Sequence, residues 1–229
     1  MTPISIAFLL FPNVTQLDLT GPAQVLSRLG NAKLDLVWKT RDPVMTDAGF
    51  AILPTATFGE IEAVDILCVP GGIGVTEVMK EPEAMAWLRK VGADAEWVTS
   101  VCTGSLILGA AGLLEGYKAT SHWAWHDALS LFGAIPTKGR TVFDRNRVTG
   151  GGVTAGIDFA LALMAKIRGD DHAKTVQLTL EYDPAPPFDA GSPEKAGPAI
   201  VTGLNERLAA LAPNRAAEMK EAAASLGFS

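Results

Sequence analysis

Cys102 is the residue whose type and position most favour chemistry. It ends a short run rich in β-branched residues, Trp97–Val101, and a helix of small residues and leucines is predicted to follow over Thr103–Ala111. Helix N-termini carry partial positive charge and unpaired N–H groups, which favour a thiolate over a thiol. A cysteine in such a position can have its pKa lowered to roughly 3.5–7.5. The pattern therefore predicts a nucleophile at Cys102, and the alternative is a small buried cysteine without chemistry.

A glycine-rich loop is the second feature that could do chemistry. Pro70–Gly74 follows a predicted buried strand, Asp65–Val69. Glycines allow the backbone to approach a ligand closely and to direct N–H groups at it. The amides of Gly72 or Ile73, together with that of Thr103, could stabilise an anion near the sulfur. A tight turn that binds nothing is an equally good interpretation of the loop.

The third feature is a carboxyl group between two apolar residues. Asp18 follows the first predicted strand, Ile4–Phe11, and is flanked by Leu17 and Leu19. Partial loss of water raises the pKa of such a carboxyl, so that it can carry a proton at neutral pH. The alternative is that Asp18 only stabilises the turn into the next helix. A chemical role becomes more convincing if the first strand neighbours the strand of Cys102.

Histidines offer a different partner for the thiol. His122 follows a short predicted strand and could approach Cys102, as a Cys–His pair is the ordinary way to activate a thiol. Nothing in the local sequence forces this approach, and His126 and His172 read as surface or packing residues. No group of histidine, cysteine and carboxylate residues has the spacing of metal ligands. We therefore expect no metal and no other cofactor.

The elements around these residues predict an α/β fold. Strands alternate with helices, which favours a doubly wound, mostly parallel sheet sandwiched by helices. Ligands bind at the carboxyl ends of the strands of such sheets, where the three features converge. Further predicted elements are a helix over Ala23–Leu29 with Thr20 as its cap, a helix over His122–Leu131 capped by Ser121, a long helix over Thr154–Ile167 opened by Gly150–Gly152, an extended proline- and glycine-rich segment over 184–198, and helix from there to Leu226.

Composition narrows the functional classes. The 229 residues are 48% hydrophobic and 19% charged, which suits one domain with a substantial core. The net charge is −6 without a cluster of basic residues, so a nucleic-acid partner is not expected. Two cysteines do not make a disulfide framework. The N-terminus lacks a positively charged leader region, and its apolar run is too short to span a bilayer, so we expect a soluble cytoplasmic protein without a membrane partner.

Four motifs together resemble those of the DJ-1/PfpI superfamily, and in particular its isocyanide hydratase branch. They are Leu17–Pro22, Val69–Gly72, Ser100–Gly104 and Thr149–Gly156. The segments Glu181–Phe188 and Gly191–Pro193 extend the similarity towards the C-terminus. The resemblance covers essentially the whole chain, with the motifs in matching order.

The resemblance implies a single flavodoxin-like domain over residues 1–229, with the segment 184–198 and a C-terminal helix packed on it, and a homodimer. It also implies that an isocyanide and water are converted to an N-substituted formamide. By motif, Cys102 matches the nucleophile, Asp18 the acidic residue beside it, and Thr103 the residue that follows it. Protease-like members have histidine after the cysteine, so threonine argues against peptidase activity. Transcriptional regulators with the same strand-to-helix turn at the cysteine carry an additional DNA-binding domain. We expect the residues after Ser192 to be too few for such a domain.

The implied mechanism divides the work between two residues. The Cys102 thiolate attacks the terminal isocyanide carbon to give a thioimidate, and Asp18 donates a proton to that carbon and then activates water. Substrate contacts are expected from Gly72, Ile73, Gly151 and Val153. Two alternatives remain: a related glyoxalase-type enzyme acting on α-oxoaldehydes, and a redox sensor in which Cys102 is oxidised without turnover.

Overall fold

The computed structural model describes residues 3–228 as a central sheet with helices packed around it. The strands are β1 (Ile4–Leu9), β2 (Ala32–Trp38), β3 (Val44–Met45), β4 (Ala51–Ile52), β5 (Ala56–Thr57), β6 (Ile66–Val69), β7 (Trp97–Val101), β8 (Lys118–Ala119), β9 (Ile135–Pro136), β10 (Thr141–Asp144) and β11 (Arg147–Gly150). The helices are α1 (Gln16–Leu26), α2 (Val75–Met79), α3 (Pro82–Asp94), α4 (Gly104–Ala110), a 3₁₀ helix (Trp123–Phe132), α5 (Ala155–Arg168), α6 (Asp170–Thr179), α7 (Pro193–Ala196), α8 (Pro198–Leu211) and α9 (Arg215–Ser225).

The main sheet confirms the predicted doubly wound α/β fold. Its order in the described residues is β10-β11-β7-β6-β1-β2-β5, and every pairing is parallel except that of the edge strand β10. The central strands β6 and β11 are buried along their whole length, as expected for parallel strands covered on both faces. The helices pack in two groups: α1 and α6 against α5, and α4 and α9 against α2 and the 3₁₀ helix.

The strand order places a topological switch between β1 and β6. The chain leaves β1 towards β2 on one side and later returns to β6 on the other side. Parallel α/β sheets bind ligands at such a point, because the connections diverge there and leave a crevice. The segments that follow β1 and β6 carry Asp18 and the glycine loop. β6 separates β1 from β7, so the condition that would favour a chemical role for Asp18, a first strand directly beside the strand of Cys102, is not met.

Two helix starts differ from the sequence prediction. α1 begins at Gln16 rather than Ala23, which places Asp18 in its first turn and Pro22 inside the helix. Packing outweighs the proline penalty here, because Pro22 is buried and a Cβ on Gly156 of α5 would lie only 3.0 Å from its ring. The cap of the 3₁₀ helix is His122 rather than Ser121, and its side chain accepts a hydrogen bond from the Ala124 amide.

The C-terminal region forms separate short elements. Residues 183–191 carry neither helix nor strand, as predicted for the segment 184–198. The rest of that prediction is wrong: α7 occupies Pro193–Ala196 and α8 begins at Pro198, because proline is tolerated in the first turn of a helix. The helix predicted to run to Leu226 is interrupted between α8 and α9 by 212–214, which include Pro213. α9 packs on α2 and the 3₁₀ helix, whereas α8 has no buried residue. Over 3–228, none of the helices has the length and apolar character needed to cross a bilayer.

Candidate active site

Cys102 lies on a sharp turn between β7 and α4. Its φ angle of 55° is left-handed, a conformation that a cysteine adopts only where the surroundings hold it. The Cys102 amide donates hydrogen bonds to the carbonyls of Gly151 (2.7 Å) and Gly150 (3.1 Å). The Cys102 carbonyl accepts from the hydroxyls of Ser121 (3.0 Å) and Ser105 (3.1 Å). Both polar groups of this peptide unit are therefore anchored, which fixes the thiol at the elbow.

Two glycines allow the glycine loop to pack directly against this elbow. A Cβ on Gly104 would lie 2.0 Å from the Val69 carbonyl oxygen. A Cβ on Gly71 would lie 2.6 Å from both the amide nitrogen and the hydroxyl oxygen of Thr103, and 2.9 Å from Asp18 Oδ2. These positions therefore require glycine for steric reasons, and the contact brings the ends of β6 and β7 together.

Asp18 is fully buried between these elements. Its Oδ2 accepts a hydrogen bond of 2.9 Å from the Gly71 amide, and its Oδ1 has no partner among residues 3–228. Burial raises the pKa of Asp18 to about 7, and the hydrogen bond from Gly71 and the interaction with the Cys102 thiol partly offset this rise. The predicted loss of water around this carboxyl is therefore confirmed, and its role as a proton carrier stays a prediction. Its position in the first turn of a helix agrees with the structural alternative as well.

The thiol itself departs from the prediction. Burial and the negative charge of Asp18 raise the pKa of Cys102 well above its usual value, whereas the amide and hydroxyl of Thr103 act to lower it. The expected depression at a helix N-terminus is outweighed because the sulfur is almost completely excluded from water. The raised pKa therefore favours the protonated thiol in the resting site.

The amides of the glycine loop are used differently from the prediction. The Gly72 amide donates to the Thr103 hydroxyl at 3.1 Å, so it is already engaged and does not face a free anion site. Gly72 has a φ of 148°, and a Cβ there would meet the Asn13 carbonyl at 2.4 Å. Gly71, which was not predicted as a site residue, binds Asp18 instead. The side chain of Ile73 is 44% exposed.

A cavity of about 740 Å³ lies beside the elbow. Ser121, His122, Gly151 and Val153 are among its lining residues, and the Gly151 carbonyl also accepts the hydrogen bond from the Cys102 amide. Cys102 and Asp18 are not among the lining residues. Within residues 3–228, no hydrogen bond joins His122 to Cys102. Burial and the positive charge of Arg215 lower the pKa of His122. The acidic partner of the thiol is therefore Asp18.

Arg215 is a site residue that sequence reasoning missed. It begins α9 and is only 6% exposed, and its Nη2 donates to the carbonyls of Ile73 (2.6 Å) and Gly72 (3.1 Å). No local pattern indicates this contact, because 142 positions separate Arg215 from Ile73. Among the described residues, no cluster of three or more histidine, cysteine or acidic side chains is arranged to hold a metal ion.

A doubly wound sheet with a buried cysteine on a strand-to-helix turn and a buried acid beside it defines a class of α/β proteins. The chain belongs to the DJ-1/PfpI family, whose model matches residues 4–166. It is 52% identical over 225 residues to isonitrile hydratase from Pseudomonas putida, and the alignment covers 98% of this chain and 99% of that protein.

Two further relatives delimit the similarity. The crystal structure of a THiJ/PfpI family protein from Pseudomonas syringae superposes with a TM-score of 0.92 at 48% identity, over 97% of this chain and 91% of that one. The HTH-type transcriptional regulator GbdR from Pseudomonas aeruginosa is 30% identical over 190 residues, which cover 79% of this chain but 51% of the regulator.

Proposed function

We propose that this protein hydrates isocyanides to N-substituted formamides. The similarity to isonitrile hydratase extends over nearly the whole length of both chains. The observation that carries the proposal is the pairing of a buried thiol with a buried carboxyl whose pKa is about 7. This pair matches the requirement of the reaction, because the terminal isocyanide carbon must receive both a nucleophile and a proton.

The first step forms a covalent thioimidate. The Cys102 proton moves to Asp18 as the sulfur attacks the terminal carbon, and Asp18 then protonates that carbon. The product of this step is an S–CH=N–R group on Cys102. Asp18 Oδ1 suits the transfer because it is buried and unpaired among the described residues, whereas Oδ2 is held by Gly71. Thr103 fixes the geometry because its hydroxyl binds Gly72 and its amide interacts with the sulfur.

The second step releases the formamide. Asp18, now ionised, takes a proton from water as the oxygen attacks the thioimidate carbon. Asp18 passes this proton to the nitrogen of the tetrahedral intermediate. It then takes the proton of the hydroxyl group as the C=O bond forms and the C–S bond breaks, and it returns that proton to the Cys102 thiolate. One isocyanide and one water thus yield one formamide, with no oxidant or reductant. We assign substrate contacts to Val153 and Gly151, which line the cavity, and not to Gly72 and Ile73, which lie outside its lining.

We also propose that the protein works as a homodimer of single-domain chains in which α8 contacts the second copy. α8 buries no residue, and Ile200, Leu204 and Leu211 are 59%, 38% and 65% exposed. Their spacing of four and seven residues places them on one helix face, which a second apolar surface can cover.

Sedimentation velocity tests this assembly. We expect a dimer for the wild type and a monomer for the double variant Ile200→Glu/Leu204→Glu. The control Leu178→Glu changes an exposed leucine on α6 and should leave the dimer intact. A wild-type monomer at micromolar concentration would refute the assignment.

A substrate comparison tests the proposed activity. Purified protein is incubated with a simple aryl isocyanide and, separately, with methylglyoxal, and the products are quantified by liquid chromatography and mass spectrometry. We expect formamide equal to the isocyanide consumed and no enzymatic loss of methylglyoxal. Consumption of methylglyoxal alone would assign the glyoxalase-type alternative, and consumption of neither would leave the redox-sensor alternative.

A further inference from the structure

Arg215 joins the C-terminal helix to the loop that positions the reacting groups. Its Nη2 binds the carbonyls of Gly72 and Ile73. The amides of the same loop hold Asp18 through Gly71 and Thr103 through Gly72. The loop is therefore fixed on both sides: Arg215 binds its carbonyls, and Asp18 and Thr103 bind its amides. Displacement of the guanidinium would release the carbonyls and move the amides.

The guanidinium is also a buried charge without a carboxylate partner. No ion pair within 4.0 Å involves Arg215 in the described part of the chain, and its buried Nε lacks a hydrogen-bond partner there. Glu218, one turn along α9, is bound to Lys80 at 3.0 Å. The other neighbour is the ring of Trp125, whose centroid lies 5.2 Å from the guanidinium carbon. A buried cation is costly unless an anion compensates it, so the site favours negative charge nearby.

Two groups can supply this negative charge, Cys102 and Glu218, and Glu218 is already paired with Lys80. Attraction to each of them acts to raise the pKa of Arg215, whereas burial lowers it. Asp18 is the charged group that acts on the thiol itself, and Arg215 also acts to lower the pKa of His122. Arg215 therefore supplies positive charge to the thiolate, while Asp18 opposes its formation.

We propose that Arg215 is the positioning residue of the Cys102 site: it fixes the Gly72–Ile73 backbone and stabilises the thiolate through its buried positive charge. Its effect on the thiol is independent of the substrate. Its effect on turnover rests on the proposed isocyanide hydration.

Two conservative variants separate the two roles. Arg215→Gln keeps an N–H donor for the loop carbonyls but removes the charge, and Arg215→Lys keeps the charge but loses the fork of donors. Arg89→Met changes an exposed arginine on α3 and serves as the control. Circular dichroism and the melting temperature establish that each variant is folded.

The main readout is the rate of iodoacetamide alkylation of Cys102 between pH 6 and 10, followed by peptide mass mapping. Cys68 is buried, and burial raises its pKa to about 12, so it should react little. We expect Arg215→Gln to shift the apparent pKa of Cys102 upwards by about one unit, which slows alkylation at pH 7.5 about tenfold. Arg215→Lys should keep the wild-type profile, and so should Arg89→Met.

A folded Arg215→Gln protein with the wild-type alkylation profile would overturn the charge role. If Arg215→Gln does not fold, the Arg215→Lys variant, which keeps the charge, decides the question. An upward shift of the apparent pKa of Cys102 in that variant would also overturn the charge role. For isocyanide turnover, both variants should lower kcat more than they raise KM, and an unchanged kcat in Arg215→Lys would refute the positioning role. If the wild type makes no formamide, the proposed function fails while the alkylation profiles still decide the role of Arg215.

Discussion

At the scale of single residues, the site depends on two buried acidic groups, the Cys102 thiol and the Asp18 carboxyl. Asp18 is fully buried and Cys102 is 7% exposed; the negative charge of Asp18 disfavours ionisation of the thiol, whereas the interaction with the thiol lowers the pKa of Asp18. Electrostatic interactions are strong in such surroundings because little solvent screens them. A resting thiol beside a carboxylate can therefore become a thiolate beside a carboxylic acid by moving one proton. The pair needs no third catalytic group to begin the proposed reaction.

Asp18→Asn should remove most of the turnover while stabilising the fold. The amide cannot transfer the proton, so we expect formamide formation to fall about 10²-fold or more. The pKa of Asp18 is about 7 when folded against 3.8 as the ordinary value, so protonation favours the folded state. This contribution is present at low pH and is lost as the pH rises through about 7.

Urea unfolding at several pH values measures the effect on stability. We expect Asp18→Asn to exceed the wild type by about 2–4 kcal/mol at pH 8, and the difference to shrink towards zero below about pH 4. Unchanged turnover would remove Asp18 from the mechanism. A variant that is less stable than the wild type at pH 8 would show that the carboxylate is not destabilising.

At the scale of elements, the glycine loop between β6 and α2 connects the parts of the site. It contacts α1 through Asp18, the elbow through Thr103, and α9 through Arg215. These three elements lie far apart in the sequence, and the glycine loop is the segment that holds them next to one another. Its glycines serve close packing at least as much as ligand binding.

Gly71→Ala should disrupt the packing of the glycine loop against Thr103 and Asp18. The added methyl group would overlap the Thr103 backbone and the Asp18 carboxylate, neither of which can move freely. We expect a loss of about 1–3 kcal/mol in stability and a fall in turnover of at least about tenfold. Gly59→Ala is the control, because a Cβ there meets nothing within 4 Å. Equal melting temperatures and rates for the two variants would contradict the packing argument.

At the scale of the whole molecule, the sheet order assembles the site from distant parts of the chain. The switch between β1 and β6 aligns Asp18 with the glycine loop, and β7 adds Cys102 beside it. The C-terminal helix α9 then closes the far side of the loop with Arg215. The proposed activity therefore depends on the correct folding of nearly the entire chain.

The parts of this assembly that follow local patterns could be predicted from sequence. Continuous apolar runs gave the buried strands, and the motif around Cys102 gave the elbow. The predicted start of α1 is wrong because proline typically marks the first turn of a helix, whereas tertiary packing accommodates Pro22 inside α1. The raised pKa of Cys102 and the role of Arg215 depend on burial and long-range contacts, which local sequence does not encode.

The most direct test of the account is the rate of formamide formation from an aryl isocyanide by wild type and Cys102→Ala. Cys102→Ala removes the sulfur with its interactions with Asp18 and Thr103, but it leaves the hydrogen bonds of the residue 102 backbone in place, so the fold should persist. We predict that the variant loses at least about 10³-fold in rate, because no other group can form the thioimidate. Formamide formation by folded Cys102→Ala at the wild-type rate would contradict the mechanism.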